Sequence, residues 1–292
     1  MDRRLLAPVT VLSVVIFPLD QPLRSQIASK NSGGRGAPST SGSNRTRKKV
    51  LAWGDTMTAY QHDSVSHALA TIDRLGRESA AFDTYVRTDS QLITKHAFAE
   101  GVRNAKDLNF FDAIFFMGTG DNLNDQQKQD LLSFIKEDGK GFVGAHTGDD
   151  AFFDWPEFAE MIGGWFDNHP WGQFDAPIIV EDPGFPAMRG FPMRFTLHDE
   201  IYEHKDFSRE KVHVLARLDS TKLDYTRPNI HRTDHDFPVA WAKMYGKGRV
   251  FYCTFGHADE TWDNPAVQKM YLEAMKWALR LNGDDVRTGP AK

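Results

Sequence analysis

Hydrophobic positions along the chain follow two spacings, and their alternation predicts strands separated by helices. Short, continuous apolar runs are typical of strands buried on both faces, and they occur at 50–53, 80–86, 111–117 and 141–145. Helical spacing of apolar residues follows the first run at 65–75 and precedes the last at 125–139, where Asn124 is the expected N-cap. Strands that alternate with helices of this length form a mainly parallel, doubly wound α/β sheet.

The regular alternation stops between Asp149 and Asp236, a segment rich in Trp, Phe, Pro and His. Strand-like runs occur within it at 176–180 and 212–218, and we expect this segment to be an insertion that covers the sheet edge. Two later runs predict a hairpin, and a final amphipathic helix should follow. These three elements are expected at 237–244, 249–254 and 265–281.

The N-terminal 28 residues differ in composition from the rest of the chain. Two arginines precede an almost wholly apolar stretch at 5–19, the pattern of a signal peptide or a short membrane anchor. This stretch is shorter than the about 20 residues that span a bilayer. We therefore expect an exported protein, periplasmic or extracellular, either released or anchored in the membrane. Residues 29–47 have the composition of a flexible linker, which leaves a folded domain at 48–283 and a tail at 284–292.

Charge and cysteine content exclude some classes of function. A net charge of -5 gives no electrostatic basis for binding nucleic acid, so no nucleic-acid partner is expected. The single cysteine, Cys253, lies in an apolar run and has no partner for a disulfide. A zinc site built from thiolates is therefore excluded. The oligomeric state is not defined by these features.

One pentapeptide, Gly144-Ala145-His146-Thr147-Gly148, has the pattern of a nucleophile elbow with His146 in the central position. Its glycines let a strand turn sharply and present the central side chain at the sheet edge. An imidazole is a poor acyl acceptor but a good general acid, general base or metal ligand. The elbow therefore predicts acid/base or metal chemistry at His146. The alternative is a glycine-rich turn whose histidine only packs.

Two more histidines follow predicted strands, and a parallel sheet brings them to the edge where His146 lies. His257 follows the last strand, and Asp259 is placed two residues later to orient its imidazole. His62 follows the first strand. Together the three imidazoles could ligate a divalent metal such as zinc, which binds neutral histidine. The alternative is three hydrogen-bonded loop histidines, with His62 capping the following helix.

The insertion supplies candidate substrate contacts. Trp171 could stack on a sugar ring while His169 bonds a hydroxyl group. Glu200 and Glu203 lie in a cluster of acids and histidines and are the candidate auxiliary carboxylates. Packing of the tryptophans on the sheet, and solvation of the acidic loop, explain these residues equally well.

Several ordered blocks resemble the ThuA-like, or trehalose-utilisation, family over about 49–282. They are 61–64, 141–146, 161–166, 169–170, 199–202, 238–241, 245–252 and 256–257. The resemblance implies a flavodoxin-like, three-layer α/β/α domain of the class I glutamine amidotransferase type, and an association with trehalose and related sugars. Those amidotransferases have a cysteine in the elbow, so His146 excludes glutaminase chemistry. Thr147 and the stretch Gly148-Asp149-Asp150 differ from the family's more usual serine-alanine continuation.

These features predict an exported enzyme that acts on a small carbohydrate, either a glycoside or a keto-sugar, by acid/base or metal-assisted chemistry. A ketone acidifies the neighbouring C–H bond, so one well-placed base is enough for elimination. The alternative is a sugar-binding or interaction module without catalysis, tethered at the membrane. Clustered aromatic residues and the absent nucleophile favour that alternative.

Overall fold

The computed structural model describes residues 47–54, 60–96, 101–120 and 123–288. The predicted leader, and all of the predicted linker except Arg47, lie outside the described residues. Within the described ranges, no helix combines the length and the apolar character needed to cross a bilayer.

Strands and helices alternate in the first half of the chain, as the hydrophobic pattern predicts. The strands are, in chain order, β1 (Lys48–Gly54), β2 (Phe82–Arg87), β3 (Ala113–Met117), β4 (Gly141–Ala145), β5 (Trp165–Asn168), β6 (Gln173–Val180), β7 (Arg194–Glu200), β8 (Glu203–Lys205), β9 (His213–Leu218), β10 (Pro238–Tyr245) and β11 (Gly248–Cys253). The α-helices are α1 (Ser64–Ser79), α2 (Asp125–Lys136), α3 (Pro156–Ile162), α4 (Asp259–Asp263) and α5 (Pro265–Ala278).

A nine-stranded sheet in the order β2-β1-β3-β4-β11-β10-β9-β6-β7 forms the centre of the molecule. The first five strands in this order are parallel, and the remaining four are antiparallel. Strands β5 and β8 form a separate two-stranded sheet. The predicted α/β fold and the hairpin of β10 with β11 are confirmed.

The insertion covers the sheet edge by extending the sheet, since its strands β9, β6 and β7 continue the strand order beyond β10. One side of β10 pairs with β11, and the backbone N–H and C=O groups on its other side need partners. Strand β9 supplies those partners. The last helix also ends earlier than expected, at Ala278, since Arg280 takes a left-handed φ of 58°.

Two hydrophobic clusters cover the two faces of the parallel strands, which gives three layers. On β3, Phe115 packs in the cluster that contains α1 and α5, and Phe116 packs in the cluster that contains α2 and α3. Both rings are fully buried. Successive strand residues point to opposite faces, so covering both faces with helices requires the continuous apolar runs seen in the sequence.

The start of α2 confirms the predicted N-cap. The side chain of Asn124 accepts a hydrogen bond from the backbone N–H of Gln127 at 2.9 Å. The Gln127 side chain in turn accepts one from the backbone N–H of Asn124 at 3.1 Å. This reciprocal pair satisfies two donors that the first turn of a helix otherwise leaves free.

Strand β4 approaches α5 so closely that only glycine fits at its first position. A Cβ atom on Gly141 would lie 2.6 Å from the carbonyl oxygen of Ala278. Both elements meet here through backbone atoms, which cannot rotate away as a side chain can. This contact sets the distance between the sheet and the helix layer beneath the elbow strand.

We expect Gly141→Ala to destabilise the protein by about 1–3 kcal/mol, because the added methyl group forces backbone apart in a packed core. Urea unfolding followed by circular dichroism measures this change. Gly190→Ala is the control, since a Cβ there meets only the flexible side chain of Lys269, at 3.4 Å. Equal midpoints for the two variants would contradict the close approach.

Candidate metal centre

His146 leaves β4 in a sharp turn that has the geometry of an elbow. Its φ is 43°, a left-handed value that a residue with a side chain adopts only when the surroundings fix it, and a 3-10 turn follows over His146–Asp149. The side chain is fully buried. Its Nδ1 lies 2.7 Å from the carbonyl oxygen of Thr254, so Nδ1–H donates and Nε2, on the other side of the ring, carries the lone pair.

Four side chains converge where that lone pair points. The Nε2 atom of His146 lies 3.3 Å from Nε2 of His62 and 3.2 Å from Nδ1 of His257. Glu200 Oε2 lies 3.0 Å from Nδ1 of His257 and 3.7 Å from Nε2 of His146. One donor atom from each of the four residues lies within 4.8 Å of all the others. The predicted histidine cluster is thus assembled, with Glu200 as a fourth member.

Each member is delivered by the end of a different structural element. His62 lies between β1 and α1, His146 follows β4, and His257 follows β11. The carboxyl ends of parallel strands share one edge of the sheet, which is where ligands bind in such folds. Glu200 is the last residue of β7 and reaches this edge from the far, antiparallel half.

Asp199 holds the two halves together at this point. Its buried carboxylate accepts hydrogen bonds from the backbone N–H groups of Gly256 at 2.8 Å and His257 at 3.1 Å. It also accepts one from the N–H of Glu200 at 2.9 Å. Burial raises the pKa of Asp199 to about 6. Sequence reasoning missed this role, although two adjacent acids at a strand end were visible.

Four of the six distances between the donor atoms are close to those around a tetrahedral ion. Tetrahedral zinc holds nitrogen ligands at about 2.0–2.1 Å, which places neighbouring ligand atoms about 3.3–3.4 Å apart. These four distances range from 3.0 to 3.7 Å, and all four atoms lie within 4.8 Å of one another. Metal-binding histidines are generally oriented by a hydrogen bond from their other ring nitrogen, and the bond from Nδ1 of His146 to Thr254 is of this kind. These residues could therefore hold a divalent metal.

Burial keeps two of the imidazoles in the form that a metal requires. Burial and the neighbouring His257 lower the pKa of His62 to about 4. Burial, and then the proximity of His62, lower the pKa of His146 well below its usual value. The pKa of His257 moves the other way, since its hydrogen bond to Glu200 favours the charged form. At neutral pH the lone pairs of His62 and His146 are thus available for coordination.

Tyr202 adds a hydroxyl group to the cluster, which the sequence did not indicate. Its oxygen lies 2.8 Å from Nε2 of His146, and its side chain is buried. Burial, followed by the charge of Glu200, raises the pKa of Tyr202 well above its ordinary value. The phenol therefore keeps its proton and acts as a hydrogen-bond donor at this edge.

Asp259 does not orient His257 in the structure, contrary to the prediction. It begins α4, and its carboxylate lies 3.6 Å from Nδ1 of His67 with its side chain 55% exposed. The carboxylate in contact with His257 is Glu200. Proximity along the chain suggested the pairing, but the turn into α4 directs the Asp259 side chain toward α1.

Among the predicted substrate contacts, His169 lies beside the cluster. Its Nδ1 atom is 3.5 Å from Oε1 of Glu200, and its side chain is 48% exposed, which places it at the rim. Trp171 is instead buried, and its indole N–H donates to the carbonyl of Asp224 at 3.1 Å. Its ring packs on Phe174 and Phe237, so no broad face is open for a sugar.

Glu203 stabilises a loop and does not join the cluster. Its Oε1 atom accepts hydrogen bonds from the backbone N–H groups of His231, at 2.8 Å, and Arg232. The side chain is fully buried. The two acids differ because they belong to different strands. Strand β7 ends at Glu200, and the chain turns before β8 begins at Glu203.

Behind the elbow, a second set of buried polar groups fixes its backbone. The hydroxyl of Tyr252 lies 2.7 Å from the carbonyl oxygen of His146 and 2.7 Å from Oδ1 of Asp149. Oδ2 of Asp149 lies 3.0 Å from Nε2 of His204. A phenol carries one proton, so both Tyr252 contacts are full hydrogen bonds only when the Asp149 carboxyl is protonated. Burial raises the pKa of Asp149 in that direction.

We expect Tyr252→Phe to cost about 1–3 kcal/mol of stability, because the buried carbonyl of His146 and the Asp149 carboxyl both lose a partner. Urea unfolding of the protein in a chelator-containing buffer measures this loss. The control, Tyr225→Phe, removes an exposed hydrogen bond to Ser220 and should change stability by less than about 0.5 kcal/mol. A change that small in Tyr252→Phe would show that the elbow holds its shape without this hydroxyl.

Asp150 is a half-buried acid next to this set, and its titration gives a test of the electrostatics. Burial, and then the proximity of Asp149, raise the pKa of Asp150 from 3.8 to about 7. Between these pH values the folded protein keeps a proton that the unfolded chain has released. Asp150 therefore lowers stability progressively as the pH rises through this window.

We expect Asp150→Asn to raise the urea midpoint at pH 8, because the amide cannot ionise, and to change it little at pH 4.5. Asp154→Asn, whose side chain is 84% exposed, is the control and should show no such pH dependence. If Asp150→Asn and the wild type lost stability in parallel between the two pH values, the shift assigned to Asp150 would be wrong.

The fold and the elbow together define the class of this protein. It is a three-layer α/β protein in which a histidine occupies the elbow. The model of the ThuA family, described as trehalose utilisation, matches residues 49–278. The chain belongs to this family, and its function is thereby related to trehalose utilisation.

Two solved structures of ThuA-like proteins are similar to the chain. One, from Bacteroides uniformis, is 20% identical, with a TM-score of 0.65 and coverage of 83% of this chain and 95% of that chain. Another, from Parabacteroides merdae, is 17% identical, with a TM-score of 0.59 and coverage of 80% and 90%. At these identities the likeness concerns the fold. A search among curated proteins finds no match.

Proposed function

We propose that the chain is an exported, metal-dependent enzyme of hydrolase or lyase type that acts on a glycoside or keto-sugar. The observation that carries this proposal is the convergence of His62, His146, His257 and Glu200 at the carboxyl edge of the sheet. Family membership supports a carbohydrate as the substrate. The apolar N-terminal stretch at 5–19 supports export, to the periplasm or the exterior.

These residues would hold a divalent metal such as zinc, which would polarise a carbonyl or hydroxyl oxygen of the sugar where one coordination position is left open for it, as in catalytic zinc sites. The chain's own groups would do the rest. Thr254 fixes the ring orientation of His146 through Nδ1, and Asp199 fixes the position of His257 through its backbone. Both contacts hold donor atoms in place before substrate arrives, which is how a site gains selectivity and rate.

Two groups near the cluster are suited to proton transfer. Tyr202 keeps its proton and would donate it, or a hydrogen bond, to an oxygen of the substrate. His169 lies at the exposed rim and would accept a proton from carbon. In a keto-sugar, removal of the proton next to the ketone leaves an electron pair that forms a carbon–carbon double bond. The substituent on the following carbon then departs with its bonding pair and takes up a proton.

The second candidate, a sugar-binding module without catalysis, has less support from the described residues. The clustered tryptophans that favoured it are buried, with Trp165 9% and Trp171 7% exposed. Binding through stacked aromatic rings requires an open ring face. Metal analysis and an activity assay also test this candidate, since a binding module needs neither a bound ion nor turnover.

We expect the purified protein to bind about one zinc ion per chain and to cleave a 3-keto-glycoside, and His146→Ala to lose both properties. Activity should fall by roughly 100-fold or more, since loss of an outer contact alone costs about 10–100-fold. Metal content by plasma mass spectrometry and release of the leaving group measure the two effects. His235→Ala, an exposed histidine stacked on Tyr225, is the control and should retain both.

Three results would separate the hypotheses. Wild type without stoichiometric metal but with cleavage would leave acid/base catalysis by the histidines. Wild type that binds sugar, without metal and without cleavage, would favour the binding module. Metal retained in His146→Ala would exclude His146 as a ligand, whatever the activity.

A further inference from the structure

A cavity of about 570 Å³ lies beside the histidine cluster, and the mechanism above does not use it. It lies along β7, the edge strand of the sheet, between that strand and the segment that carries α4. Its size falls in the range of about 300–1,000 Å³ that is typical of small-molecule sites. Nothing in the proposed chemistry requires such a space next to Glu200.

The register of the sheet connects this cavity to the cluster. Gln173 on β6 pairs directly with Glu200 on β7, so their side chains lie on the same face as near neighbours. Alternation along β7 puts His198 and Thr196 on that face too, at successive steps away from Glu200. Gln173, His198 and Thr196 all line the cavity. On its other side lies Ala258, the residue after His257.

The lining favours an uncharged, hydroxyl-rich ligand. Besides Leu197 and Ala258, it presents two amides, two hydroxyls, an imidazole and a carboxylate, from Gln173, Asn264, Thr196, Thr261, His198 and Glu260. These groups both donate and accept hydrogen bonds, as the hydroxyls of a sugar require. Among the described residues that line the cavity there is no lysine or arginine. Phosphorylated or carboxylated sugars would need such a cation, so the chemistry indicates a neutral ring.

We propose that this cavity is a subsite for a second, neutral sugar ring, bound on the leaving-group side while the reacting ring lies at the histidine cluster. The inference rests on the proposed function and narrows the substrate class to uncharged glycosides of two or more rings. Thr196 also lines an adjoining cavity of about 490 Å³, so a longer chain has space to continue past it.

The test is Thr196→Trp, which fills the passage between the two cavities with an indole ring. Thr196 lies on an exposed strand face, so the variant should fold. KM is measured for a 3-keto-glucoside with a second glucose ring as leaving group and for its methyl 3-keto-glucoside counterpart. We expect KM for the two-ring substrate to rise about tenfold or more, with KM for the methyl glycoside and the zinc content unchanged. Gln173→Ala should produce a smaller change of the same kind.

Val86→Trp is the matched control, since Val86 is 46% exposed on β2, the edge strand at the opposite end of the sheet. It should leave both KM values unchanged. If Thr196→Trp alters both substrates equally, or neither, the subsite proposal is wrong.

A binding measurement separates this proposal from the proposed function. Saturation-transfer NMR with an unoxidised two-ring glucoside reports binding even if neither keto-glycoside is cleaved. Binding to wild type that is weakened in Thr196→Trp and kept in Val86→Trp supports the subsite although the enzyme proposal has failed. Binding that is absent in wild type, or equal in all three proteins, overturns it.

Discussion

Asp199 joins the two halves of the sheet where the candidate site forms. Its carboxylate accepts from the backbone of the loop after β11, and this contact brings the end of β7 to the edge that the parallel strands share. The parallel half supplies His62, His146 and His257, whereas the antiparallel half supplies Glu200 and Tyr202. The buried carboxylate thus contributes, with the backbone bond from Tyr202 to Thr254, to holding the acid and the phenol beside the three histidines.

The elbow shows how one backbone geometry serves different chemistry. A left-handed residue at the end of β4 presents its side chain at a fixed point above the sheet, and Tyr252 and Asp149 hold that turn from behind. A thiol at this point would be a nucleophile, whereas the imidazole of His146 supplies a lone pair. Burial then keeps that lone pair free of a proton, which is the electrostatic condition for binding a cation.

Much of the fold, and three of the four members of the cluster, could be predicted from the sequence. Apolar runs define buried strands, and parallel strand ends share one edge, so the meeting of the three histidines follows from local pattern alone. Glu200 was visible as an acid, but its partner was not, since the register of β6 and β7 is set by contacts distant in sequence. The same limit explains Asp259, chosen for its proximity along the chain, and Trp171, whose burial an aromatic cluster does not reveal.

The four members of the cluster are spread over most of the folded chain, from position 62 to position 257. A loop closed between such distant points costs conformational entropy, which folding must supply before any ion can be held. Binding of an ion would then favour only the complete fold over every partly folded form. The cluster would thus crosslink the two halves of the sheet. Loss of the ion would first weaken the contacts between the antiparallel half and the parallel half.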